Sequence, residues 1–389
     1  MKVLFLSQRV PYPPNRGDKI TTWRLVERLQ RSHRVRIVAF AHDEGDRRAA
    51  RELEAKGFEI AVFPPTPRWR ALPRLLGSTP MTLVVYGSRA LQAEVDRAVR
   101  DVDLAYAYSS SMGAFFLRHD LARVMHFAEL DSDKWRQYSE RAPFPLSRVY
   151  RREWRTLHAF ERSLAHAVGE NVFCTPLEEQ IFRERIPGAP SCVIRNGVDL
   201  AHYSPDANAP EPGRLVFVGV MDYYPNVEGI AWFCESILPE VQRRVPGATL
   251  SIVGAHPTKA VRALASRPGV EVTGFVDDPR RWLRRAAVSV APLRIARGIQ
   301  NKVLEAMAMG LPVVGTQSAT QGVAGEHGRD YLVAESAEEQ VEAVCALLRA
   351  PERARELGRG ARAFVERHHD WETCLRPVDE IVERLGNPG

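Results

Sequence analysis

At 389 residues the chain is about twice the length of a typical domain, so two domains of similar size are expected, and its 45% hydrophobic and 26% charged content excludes the disordered, fibrous and collagen-like classes. Five cysteines, Cys174, Cys192, Cys234, Cys345 and Cys374, lack CxxC spacing, which argues against a zinc ribbon or a disulfide framework and fits a reducing cytoplasm. The net charge of +6 is uneven: residues 1–190 carry 31 Lys+Arg against 23 Asp+Glu, and residues 191–389 carry 23 against 25, so the first half suits a phosphorylated substrate or anionic lipid, while no zinc finger, RNP aromatic pattern or heptad-linked basic region supports nucleic acid as a partner.

The chain opens on an apolar run in MKVLFLS that is too short for a signal-peptide core or a membrane span and predicts a buried strand at 2–6. Further strands are expected at 34–40, 59–63, 102–106, 123–128 and 172–175, with helices at 18–30, 47–56, 89–100 and 147–167. Three prolines and a glycine in SQRVPYPPNRGDK forbid regular structure between the first strand and first helix. The stretch RWRALPRLLG mixes cations with apolar groups, including Trp69, Arg70, Leu72, Arg74, Leu75 and Leu76; it reads either as an ordinary helix packing one face on the core or as a contact with the inner face of a membrane.

Strands recur at 214–220, 249–253, 270–273, 288–292, 312–315 and 331–333. Short apolar runs alternating with amphipathic stretches mean parallel strands joined by crossover helices. A Pro/Ala/Asn/Glu-rich stretch without periodicity separates the halves, giving a first domain at 1–195, a linker at 196–212 and a second domain at 213–370, with a final helix at 371–389 that crosses back to the first domain. The expected fold is α/β, with two Rossmann-like, doubly wound parallel sheets facing across a cleft and ligands at the carboxyl ends of their strands.

The segment VSVAPLRIARGIQNKVLEAMAMGLPVVGT, 288–316, reads as strand, loop broken at Gly298, helix from about Ile299, Gly-Leu-Pro stop and strand. Helical spacing of four puts Arg297, Asn301 and Glu305 on one face, so that a cation, an amide and a carboxylate meet a ligand in order. A helix start with unpaired N–H groups suits a diphosphate; Arg297 and Lys302 add full charges, and Glu305 is placed to accept hydrogen bonds from ribose hydroxyls.

KVLEAMAMGLPVV resembles the donor-site signature of family-4 retaining glycosyltransferases of GT-B fold. VIRNGVDLAHYSP, RLVFVGVMDYYPN with Gly219, LSIVGAHP and VTGFVDD follow the family order over about 195–320, and PPNRGDK, DSDKW and GIQNKVLEAMA are similar to the exopolysaccharide-associated sugar transferases of bacteria with a PEP-type C-terminal sorting system. The resemblance implies transfer of a hexosyl unit, with retained anomeric configuration, from a nucleotide-diphosphate sugar to a saccharide or lipid-linked acceptor, with no metal and no cofactor. Donor contacts carried over are Gly17, Gly219, Gly298, Ile299, Gln300, Asn301 and Glu305; catalytic roles fall to Asp131, Arg297 and Lys302, and acceptor or phosphate contacts to Arg16, Lys19 and Asp133. The chain departs from the pattern at Arg297, where many members have a first glutamate, and at Asp222-Tyr223-Tyr224-Pro225, where many have a cation. The first departure leaves open a non-catalytic binding scaffold of the same fold. A nicotinamide-dependent oxidoreductase is disfavoured because neither half carries GxGxxG after its first strand.

Overall fold

A computed structural model describes residues 1–67, 77–205 and 210–386. The stretch at 69–76 lies outside the described residues. The chain forms two compact units, one of Met1–Arg195 with Leu375–Gly389 and the other of Asn196–Cys374.

The first unit holds seven strands: β1 Lys2–Ser7, β2 Arg34–Phe40, β3 Glu59–Phe63, β4 Leu104–Tyr108, β5 Ala122–Ala128, β6 Glu170–Phe173 and β7 Ser191–Val193. They are parallel throughout, in the order β3-β2-β1-β4-β5-β6-β7. A parallel sheet is covered on both faces, so its strands are apolar runs and not alternations. Val3, Leu4, Phe5 and Leu6 are accordingly all fully buried, and Phe5 stacks on Tyr106 of the neighbouring strand at 5.5 Å between ring centroids. Burial of each such side chain contributes about 1.5–3 kcal/mol.

Two carboxylates on the buried stripe of the long helix Leu146–His166 organise this unit. Glu153 accepts the N–H groups of Met81 and Thr82 at 2.7 and 2.9 Å, and Glu161 accepts that of Ser132 at 3.3 Å. Each thereby caps the start of another helix, Met81–Val85 and Asp131–Arg141, whose first amides lack intrahelical partners. The helix Asp131–Arg141 stands where no element is expected from the sequence. Leu375, Val378, Ile381 and Val382 of the last helix, Trp371–Gly386, are buried. Its Asp379 accepts two hydrogen bonds from Arg28, and the Leu385 side chain packs into the space left open at Gly169, where a Cβ would stand 2.6 Å from it.

The second unit has six parallel strands: β8 Arg214–Val218, β9 Thr249–Val253, β10 Val270–Gly274, β11 Val288–Ala291, β12 Val313–Gly315 and β13 Leu332–Val333, ordered β10-β9-β8-β11-β12-β13. In each unit the strand order reverses beside the first strand, between β1 and β4 and between β8 and β11. Successive connections there leave for opposite sides, and a crevice opens at the carboxyl edge.

Candidate functional site

In the second unit the chain leaves β8 through Gly219–Tyr223 into the helix Tyr224–Trp232, and leaves β11 through residues 292–300 into the helix Asn301–Ala308. These are the two connections that flank the switch point. A Cβ on Gly219 would lie 2.7 Å from Asn226 Nδ2 and 3.3 Å from Lys302 Cε, so the absence of a side chain lets the two helix starts meet. Gly254, at φ +150°, backs the same turn: its Cβ would collide with the Gly219 carbonyl.

Lys302 is the centre of this meeting. Its Nζ donates to Asn226 Oδ1 at 3.0 Å and to Gln300 Oε1 at 3.3 Å, and it stands 5.6 Å from the Phe217 ring centroid. Protein atoms crowd the ammonium, and burial pushes its pKa down to about 8 while the Glu305 carboxylate partly opposes the shift. Glu305 follows one turn later. Burial raises its carboxyl to about 7, against the lowering effects of Lys302 and of a hydrogen bond donated by the Tyr203 hydroxyl. Among the described residues no side chain caps the helix start at Gln300, and the Asn301 Oδ1 beside it is buried without a hydrogen-bond partner. An uncapped helix start, an ammonium and a carboxyl group thus converge on a few ångströms of surface.

Tyr203 is held by the turn that carries it. Its N–H donates to the Asp199 carbonyl at 2.7 Å, and Arg280 donates to the His202 carbonyl at 2.9 Å. Arg362 donates to the carbonyls of Tyr203 at 2.7 Å, Ala308 at 2.6 Å and Leu200 at 3.4 Å, fastening this turn to the far end of the Asn301–Ala308 helix.

Of the expected donor residues, Gly219, Gln300, Asn301 and Glu305 come together around these two helix starts with Lys302, expected in a catalytic role. Arg297 does not share their helical face. Gly298 takes φ +62°, which breaks the helical path, and the helix begins at Asn301 and not at Ile299, so the spacing of four from Arg297 has no structural meaning. Arg297 lies in the preceding loop, where its carbonyl accepts Gln300 Nε2 at 3.0 Å. A Cβ on Gly322 would stand 2.2 Å from the Gly298 carbonyl, so that loop is backed by packed chain. Asn226 and Tyr203 escaped the sequence reading although both lie in quoted motifs, DYYPN and NGVDLAHYSP.

In the first unit Gly17 opens the helix Gly17–Gln30 and Arg16 precedes it in extended conformation, paired with Asp18 at 2.6 Å. Lys19 is not an open cation for phosphate: its ammonium is buried in a 2.7 Å ion pair with Asp46, which also accepts the His42 N–H at 2.9 Å. Asp131, at the start of the helix Asp131–Arg141, accepts from Ser110 Oγ at 3.0 Å and Lys134 Nζ at 2.9 Å, and it pushes the lysine's pKa above its ordinary range. Asp133 is 4% exposed and is engaged by Arg136 at 2.7 Å and Gln137 at 3.0 Å, so it faces the interior of its unit and not a ligand. His126 is fully buried on β5, with Nδ1 2.9 Å from the Tyr106 hydroxyl and its pKa lowered by burial to about 3.

Residues 212–350 match the family described as Glycosyl transferases group 1. A GDP-mannose-dependent alpha-(1-6)-phosphatidylinositol monomannoside mannosyltransferase of Mycobacterium tuberculosis is 32% identical over 160 residues, covering 37% of this chain and 42% of that protein. The chain therefore spans about two fifths of the length of this relative. Among solved structures, sucrose-phosphate synthase from Thermosynechococcus elongatus superposes with a TM-score of 0.75 at 17% identity over 99% of both chains. Anabaena Alr3699/HepE in complex with UDP gives 0.73 at 16% identity over 99% of this chain and 100% of that one. WaaG, a glycosyltransferase involved in lipopolysaccharide biosynthesis, gives 0.70 at 16% identity over 97% and 99%. With its seven- and six-stranded doubly wound parallel sheets, the chain has the GT-B fold.

Proposed function

We propose that this chain is a retaining glycosyltransferase that moves a hexosyl unit from a nucleotide-diphosphate sugar to a saccharide or lipid-linked saccharide acceptor in exopolysaccharide biosynthesis, working at the cytoplasmic side of the cell membrane. The observation that carries the reading is the Lys302 ammonium held by Asn226 and Gln300 at an uncapped helix start on the switch point of the second sheet. The group 1 match over 212–350 supports the reaction class. Breaking the bond between the anomeric carbon and the diphosphate leaves an electron pair on a phosphate oxygen. Lys302 and the helix amides meet that charge, with Arg297 in the adjoining loop as a second cation; preorganised donors of this kind are each worth about 2.7–4 kcal/mol. These cations take the part a metal would play, so no metal enters the scheme.

Glu305 accepts hydrogen bonds from the ribose hydroxyls of the donor. Asp131, oriented by Ser110 and Lys134, positions the acceptor hydroxyl, and attack on the face from which the nucleotide departs preserves the anomeric configuration. Arg297, where a carboxylate would contact the donor sugar, favours a second reading: a sugar-nucleotide-binding scaffold without turnover. Incubation with labelled UDP- and GDP-sugars separates the two. Slow donor hydrolysis or transfer that disappears in Lys302→Ala and Glu305→Ala supports the enzyme, and binding without turnover under every acceptor supports the scaffold. The anomeric signal of the product in NMR tests retention.

A further inference from the structure

The helix Leu146–His166 carries its two acidic residues inward: Glu153 and Glu161 are fully buried and engaged with backbone amides. Its opposite face is different. Arg148, Arg151, Arg155 and Arg162 are all exposed, and at 100° per residue they fall within one arc of about 60°, spread over ~21 Å of helix length. Among the described residues none of the four pairs with a carboxylate; Arg148 instead lies over the Phe144 ring, 5.1 Å from its centroid. At the N-terminal end of this stripe the chain presents Phe144 at 72% and Leu146 at 47% exposure, beside Tyr138 at 47%. Tyr138 in turn packs with Trp135 and Tyr150 in a ring cluster with centroids 5.3–6.0 Å apart.

Four guanidinium groups along one line, without a carboxylate partner among the described residues, repel each other and remain hydrated unless an anionic surface meets them. Exposed apolar groups at the same edge gain nothing from a phosphate backbone but gain from entry into the boundary between headgroups and acyl chains. We propose that this arginine face, led by the Phe144 and Leu146 tip, docks the chain on a bilayer containing anionic phospholipid. No described helix is long and apolar enough to cross a membrane, so this is attachment in the interfacial plane. The proposal does not rest on the proposed transfer reaction.

The test is co-sedimentation of the full chain with vesicles of phosphatidylcholine alone or with about one third phosphatidylglycerol, at low and physiological salt. Binding is expected on the anionic vesicles only and weakens with salt. Each arginine near the surface strengthens partitioning about fivefold, so Arg151→Ala/Arg155→Ala/Arg162→Ala lowers it by about a hundredfold, while the corresponding Arg→Lys triple retains most of it. Phe144→Ser/Leu146→Ser weakens binding by about tenfold or more at unchanged charge. All these side chains are solvent-facing, so the variants keep the wild-type melting temperature and the same donor turnover in solution. Absence of binding to anionic vesicles at low salt overturns the proposal, as does full binding by the triple-alanine chain. Binding to a DNA duplex that needs the arginines, together with vesicle binding indifferent to Phe144 and Leu146, assigns the face to a soluble polyanion and also overturns it.

Discussion

Replacement of Lys302 by methionine separates function from stability. The wild-type ammonium sits with its pKa lowered to about 8. From a usual value near 10.4, that amounts to roughly 3 kcal/mol of disfavoured charge at full burial, and less for the solvent-facing edge the side chain keeps. Methionine removes that cost and retains most of the apolar stem, but it leaves the buried Asn226 Oδ1 without its donor, a loss of about 1–3 kcal/mol. The two terms nearly cancel, so the melting temperature is expected to move by no more than a few degrees, at about 2–4 °C per kcal/mol for a unit of this size. Transfer responds differently. An ammonium that meets charge developing on the leaving diphosphate is worth about 2.7–4 kcal/mol, so kcat falls by about 10²–10³ with a smaller change in KM for the donor. Thermal unfolding and turnover of a labelled sugar nucleotide on the same preparation measure both. A kcat within threefold of wild type refutes the role of Lys302, and a collapse of the melting temperature by ten degrees or more makes it a structural residue.

Glu305→Gln tests the raised carboxyl. Because its folded pKa of about 7 lies above the unfolded value, its contribution to stability is fully present below about pH 4.5 and is lost as pH rises through 7; the variant should be more stable than wild type at pH 8 and equal to it at pH 4 in paired denaturant titrations. With Lys302 lowered to about 8 and Glu305 raised to about 7, kcat/KM for the donor should trace a narrow bell between these values, belonging to the pair and not to either group, and Glu305→Gln should remove its acid limb. Tyr203→Phe deletes the hydroxyl that donates to Glu305, so the acid limb moves to higher pH and donor KM rises about tenfold while kcat stays within threefold; an unmoved limb refutes the contact. Gly219→Ala drives a methyl group to 2.7 Å from Asn226 and 3.3 Å from Lys302; overpacking of about 1–3 kcal/mol falls on the site, and nucleotide affinity by calorimetry should drop more than tenfold with the fold intact by circular dichroism.

The sheets were legible because buried parallel strands must be apolar runs, and 34–40 and 249–253 match the observed β2 and β9 to the residue. Contacts between distant parts of the chain were not. The helix Asp131–Arg141 has little apolar periodicity, and its start is capped by Glu161, 29 residues further on. Lys19 reads as a free cation until Asp46, 27 positions away, is seen beside it. At the candidate site the sequence identified the loop and the helix, and Gly298 marked the break between them. Extending helical spacing through that glycine misplaced Arg297, since a residue at φ +62° leaves the helical path. Tyr203 and Asn226 reach Glu305 and Lys302 only through tertiary packing, which periodicity does not encode.

Arg362 stands at the opposite end of the Asn301–Ala308 helix from the lysine, yet its guanidinium joins the last carbonyl of that helix, that of Ala308, to the turn bearing Tyr203. Helix and turn are therefore riveted into one rigid lever with the lysine at one end and the tyrosine's partner between. Loss of this remote arginine would free the turn from the helix, so that the tyrosine and the carboxylate it serves would no longer be held in one register.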